Sequence, residues 1–167
     1  MEWFGDVAAL VGALGIGSVA GALVGQVSDR RQARATALEA IREVEYSRWA
    51  PCSAADLDGS LHSLATAGLL AQMPRGVAEQ YTVLAWAAWL ISTRNFDRVN
   101  GAEGGEGIDA ELAALVRRTA RIAVQVVWRP WLARPVAFVR IRWLRSQLKR
   151  ISSSEVQEAL ELAQHRV

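Results

Sequence analysis

Apolar positions in this chain recur at helical spacing, and nowhere do they alternate in the two-residue rhythm of a strand. Between Ser28 and Trp49, Ala37, Ile41 and Val44 form a narrow apolar seam among strong helix formers. Glu39–Arg42 and Glu45–Arg48 are spaced there for ion pairs along one helix. Pro51 ends that helix. "SAAD" at 53–56 resembles a capping box and predicts a second helix to about Gln72, with Leu57, Leu61, Leu64 and Leu69 turned to a core. A third helix is predicted from about Arg75 to Val99. Its centre, "TVLAWAAWLI", is apolar all round but too short to cross a bilayer, which places Trp86 and Trp89 in a core. The glycines and glutamates of "NGAEGGEGID" then predict a flexible loop over 100–108.

A fourth helix runs from Asp109 to about Trp128 through Leu112, Leu115, Val116, Ile122 and Val126. "RPWLARP" predicts a turn, because Pro130 and Pro135 each disfavour helix in the residue before them. The fifth helix is expected over Val136–Ile151, with Ala137, Ile141, Leu144, Leu148 and Ile151 on one face. "SSSE" at 152–155 offers a second capping box for a short, acidic last helix.

The opening stretch is different. Val7–Val27 is 21 residues without a charge and would reach about 31 Å as a helix, the thickness of a bilayer core. Five of its residues are glycine, each costing a helix in water about 1 kcal/mol relative to alanine. They make sense where packing replaces the hydrophobic effect: Gly17, Gly21 and Gly25, extended backwards by Ala13, form a small-residue stripe that lets helix backbones approach in a membrane. Ala8, Gly12, Gly15, Ser18 and Ala22 form a second stripe, so the helix is expected to pack on more than one side. No cation precedes the run, while Arg30, Arg31 and Arg34 follow it. The positive-inside rule then puts residues 1–6 outside and everything past the span in the cytoplasm. The expected fold is all-α: a single transmembrane helix over 7–27, a stalk over 28–49, and a cytoplasmic domain of about four to five helices over 50–167.

Charge sharpens this picture. Residues 28–111 hold eight basic and twelve acidic side chains, whereas 112–154 hold ten arginines and lysines and no acid. Trp128, Trp131 and Trp143 interleave with those cations. Arginines along an anionic leaflet with tryptophans at headgroup level would suit a tethered domain, and Arg140, Arg142, Trp143, Arg145, Lys149 and Arg150 are the expected lipid-facing residues. The competing reading pairs these cations with the acidic 28–111 block inside the domain. Phosphate binding to nucleic acid ranks behind both.

Chemistry is sparse. His62 and His165 share no ligand spacing with Cys or carboxylates, and no nucleophile or metalloprotease signature occurs, so no catalytic residue, metal site or cofactor is expected. Asp56 and Asp58 lie two apart, too badly placed for an acid–base pair, and are expected at a helix N-terminus. The lone Cys52, expected to be buried, rules out an internal disulfide and fits a reducing compartment. The layout looks like that of small membrane proteins of bacteria with arginine- and alanine-rich proteomes and of their phages. That likeness is compositional and confined to the N-terminal segment. The function expected is therefore non-enzymatic: an inner-membrane protein that self-associates through its span and presents a docking or regulatory domain to anionic lipid and a protein partner. Two alternatives are a phage-type lesion or pore former acting in lysis, exclusion or abortive infection, and a structural subunit that packs its apolar helix into an assembly.

Overall fold

A computed structural model of the chain describes residues 26–49, 52–101, 110–151 and 153–166. Among them every regular element is a helix: α1 over 26–47, α2 Ala54–Leu70, α3 Arg75–Gly101, α4 Ala110–Trp128, α5 Pro130–Leu148 and α6 Ser154–Gln164. The small helical bundle is thus as expected. The proposed span lies outside the described residues apart from Gln26 and Val27, as do Ala13, Gly17, Gly21 and Gly25. No helix among the described residues is long and apolar enough to cross a membrane.

Local sequence explains most boundaries. Ser53 caps α2 through a reciprocal box: its hydroxyl accepts from the Asp56 amide at 3.2 Å, and its own amide donates to the Asp56 carboxylate at 3.0 Å. The Ser53 hydroxyl also donates to that carboxylate at 2.7 Å, and this bond, followed by the one from the Ser53 amide, holds the Asp56 carboxyl below its ordinary range. At the other end of α2 the Gln72 amide donates to Leu69 O at 3.0 Å and the Met73 amide to Gly68 O at 2.8 Å, the paired bonds of a Schellman turn. The turn requires a left-handed residue, and Gln72 occupies it with φ 57°. It also folds Met73 back over Gly68, so Ala67 and Gly68 are buried and Leu69, expected in the core, is exposed.

α5 corrects the second expectation. It begins at Pro130 rather than Val136, and the turn out of α4 is Arg129 alone. Pro130 stands at the first helical position, where a missing N–H costs nothing. Pro135 then sits inside the helix and leaves the Trp131 carbonyl without its usual intrahelical donor. The local preference against helix is overridden by the buried stripe Ala137, Ile141, Leu144 and Leu148.

α3 is the central element and touches α2, α4, α5 and α6. Its apolar middle is buried as expected, with Leu84, Ala85 and Trp86 inside. Trp89 is only half-buried, edge-on to Trp86, and its indole N–H donates to the Cys52 carbonyl at 2.9 Å. Cys52 is itself half-buried. α1 carries the expected apolar seam. Residues 26–32 are exposed, but Ala37, Ala40, Ile41 and Val44 belong to the core. Beside them the Glu45 carboxylate accepts from the Tyr81 hydroxyl at 2.8 Å and from Arg48 at 2.8 and 3.0 Å. Burial, and then the Glu45 charge, push the Tyr81 hydroxyl far above the usual phenol value, so it remains a donor.

Candidate interaction surface

Large apolar side chains left uncovered are concentrated on one hairpin. Trp128 at the end of α4 and Trp131, Leu132, Phe138, Val139 and Trp143 on α5 are all exposed, Trp131 at 90 %. Proteins commonly use exposed apolar surface rimmed by charge to meet membranes, ligands or other proteins.

The expected lipid-facing residues fall on two flanks of α5 rather than one. Toward α4, Arg140 donates to Gln125 Oε1 at 2.7 Å, and Arg118 stacks over Trp143 at 5.6 Å. With Arg121 they line a cavity of about 350 Å³. Toward α3, Arg145 donates to Gln80 Oε1 at 3.0 Å and shares a cleft with Lys149, Glu79 and Glu161. Arg142 and Arg150 are exposed.

Among the described residues none of the ten basic side chains of 117–150 makes an ion pair with a carboxylate. The carboxylates pair elsewhere: Glu39 with Arg42, Glu45 with Arg48, Glu79 with Arg75, Glu158 with Arg94 and Asp58 with Arg166.

A second arrangement was beyond sequence reasoning. Arg30 and Arg34 of α1, Leu70 at the end of α2, and Trp131 and Arg134 of α5 line one cleft of about 400 Å³. Arg134 reaches across it to donate to the carbonyl of Gln72 at 2.8 Å. Trp131 had been visible only as one tryptophan among cations, and no periodicity joins positions a hundred residues apart.

No protein-family model, curated protein or solved structure matches this chain. Among the described residues no group of three or more His, Cys, Asp or Glu side chains comes together.

Proposed function

We propose that the chain is a non-enzymatic membrane-anchored protein that self-associates through its Gly/Ala-rich segment and presents α1–α6 as a docking or regulatory domain on the side of the arginine flank. The observation that carries this reading is the α4–α5 surface, where cations with no carboxylate partner among the described residues alternate with exposed Trp128, Trp131 and Trp143. Tryptophan and arginine share the interfacial zone of a bilayer because each combines an apolar body with a polar tip. Each cation near an anionic leaflet adds about 1 kcal/mol of attraction.

The test has two arms on the full chain. Membranes carrying it are washed with carbonate: retention supports the anchor, and release into the wash overturns it. In mild detergent the oligomer mass of Gly21→Ile is then compared with that of Leu23→Ile. Close backbone contact requires a smaller assembly for Gly21→Ile only, and an unchanged mass would reduce the glycines to composition.

A further inference from the structure

We infer that the cleft formed by Arg30, Arg34, Leu70, Trp131 and Arg134 is the seat of an anionic phospholipid headgroup, so that the domain stands on this end instead of lying along α5. The inference rests on the membrane-anchored reading but narrows its lipid contact from the whole α4–α5 surface to the end of the bundle at Trp131, leaving Trp143 and the cations beyond it outside that contact.

Three features of the cleft converge on a lipid phosphate. Its lining contributes three guanidiniums and no Asp or Glu, and neither Arg30 nor Arg34 makes an ion pair among the described residues. Guanidinium is suited to phosphate oxygens because its N–H groups form a planar fork. The first two residues of α5, Pro130 and Trp131, also line the cleft, which places the positive end of that helix dipole beside the cations. No acidic residue occupies the first turn of α5, and its N-cap Arg129 makes no side-chain cap bond, so neither its own first turn nor its cap neutralises that end.

The apolar rim says which phosphate. Trp131 is 90 % and Leu70 68 % exposed, and both line this cleft; their chain neighbours Leu132 and Leu69 are exposed as well, Leu132 on the side of α5 that faces a separate cavity against α4. A free phosphate gives no reason for such a rim, and a nucleotide base stacked on Trp131 would leave the exposed leucines unexplained, whereas a headgroup with acyl chains beneath it accounts for both.

Distance along α1 agrees. Val27, the last residue of the apolar run, is seven residues from Arg34, about 10 Å along a helix. The polar layer of a bilayer is about 5–8 Å deep on each side, so a cleft at Arg30–Arg34 meets the headgroups without bending α1. Leu148, at the other end of α5, is about 21 Å further along its helix than Arg134. That exceeds the Debye length of about 8 Å at physiological salt. In this orientation Lys149 and Arg150 are held off the leaflet and remain available to other partners.

The experiment places single cysteines in the full-length protein, on a Cys52→Ser background, at Leu132→Cys in the first turn of α5 next to Trp131 and Ser146→Cys near the far end of α5. Each carries a polarity-sensitive fluorophore, and the protein is reconstituted into vesicles of phosphatidylcholine alone or mixed with phosphatidylglycerol. The expected result is a blue shift at 132 that is larger with phosphatidylglycerol, with 146 remaining as in water. Arg30→Gln with Arg34→Gln should abolish most of the phosphatidylglycerol-dependent difference without loss of helix content, since neither side chain holds the bundle together. Equal shifts at both labels would overturn the orientation and favour α5 lying flat. A water-like label at 132 in a chain that resists carbonate would overturn the inference alone. Release of the chain by carbonate would instead remove the anchored reading beneath it. Reversal of the 132 shift by added inorganic phosphate would overturn the lipid assignment in favour of a free-anion site.

Discussion

The seam between α1 and α3 and the end of the bundle around Trp131 use similar residues to opposite effect. At the seam, Ile41, Val44, Leu84 and Trp86 are buried, and the polar atoms among them are satisfied, Arg48 and Tyr81 by Glu45. At the other site Leu70, Trp131 and Leu132 are uncovered, Gln72 is held in a left-handed conformation, and α5 starts without a side-chain cap. Sequences that fold well are consistent across levels, and local exceptions gather where something other than stability is selected. Here three exceptions coincide in one place, whereas the start of α6 without a side-chain cap bond and the Thr93 hydroxyl without a partner among the described residues each stand alone, and that coincidence is more telling than any one of them.

Truncation should separate the two regions most strongly. Leu84→Ala opens a cavity at a fully buried position and is expected to cost about 2–5 kcal/mol. Trp131→Ala removes a side chain with little protein around it and should change stability by about 0.5 kcal/mol or less. Urea denaturation of the detergent-solubilised protein, followed by helical circular dichroism, reads both. A cost for Trp131→Ala near that of Leu84→Ala would mean that the tryptophan is covered, and the contrast would collapse.

The polar centre of the seam gives a smaller effect. Glu45→Ala leaves the Arg48 guanidinium, 3 % exposed, without its carboxylate. Because Glu45 is itself 28 % exposed, the loss should be roughly 2 kcal/mol rather than the full value for a buried pair. Tyr81→Phe removes one hydrogen bond and should cost about 1 kcal/mol. The Tyr81 hydroxyl is raised on folding, so its contribution is complete below the ordinary phenol value of about 10 and is lost as pH climbs from there toward the folded value. The wild-type protein should therefore lose more stability than Tyr81→Phe as pH rises through that region. Parallel pH profiles would show that the buried hydroxyl is not the group responsible.

Much of the fold was legible because it is written locally. The Ser53–Asp56 box, the apolar centre of α3 and the stripe Leu112–Val126 of α4 each need only a few neighbouring positions to be read. What went unread depends on tertiary context. Leu69 has the spacing of a core residue, but the turn at Gln72 ends the helix and gives its place to Met73. Pro135 carries a local signal against helix that the buried face of α5 outweighs. The basic stretch was visible as composition, yet its division between the α4 and α3 flanks depends on Gln125 and Gln80, which no charge pattern singles out. The cleft was least legible, since Arg30, Leu70 and Trp131 meet only once three helix ends are assembled.

The smallest expected effect tests whether the exceptions are costs the chain sustains. A non-glycine residue in the left-handed region is disfavoured by roughly 1–2 kcal/mol, and Gln72 is the one such residue described. Gln72→Gly relieves that strain at the position of a Schellman turn where glycine is most favoured. Part of the gain is returned, because glycine also frees the unfolded chain. A net stabilisation of about 0.5–1 kcal/mol is expected, as a higher urea midpoint at unchanged slope. The Arg134 bond to the residue 72 carbonyl survives, since it uses the backbone, and only the weaker 3.4 Å contact to Gln72 Oε1 is lost. The label at position 132 should therefore report the same lipid-dependent shift in Gln72→Gly as in the parent. A destabilised variant, or one that loses the shift, would show that the glutamine side chain organises this end of the bundle and that its strained backbone is a consequence of that role.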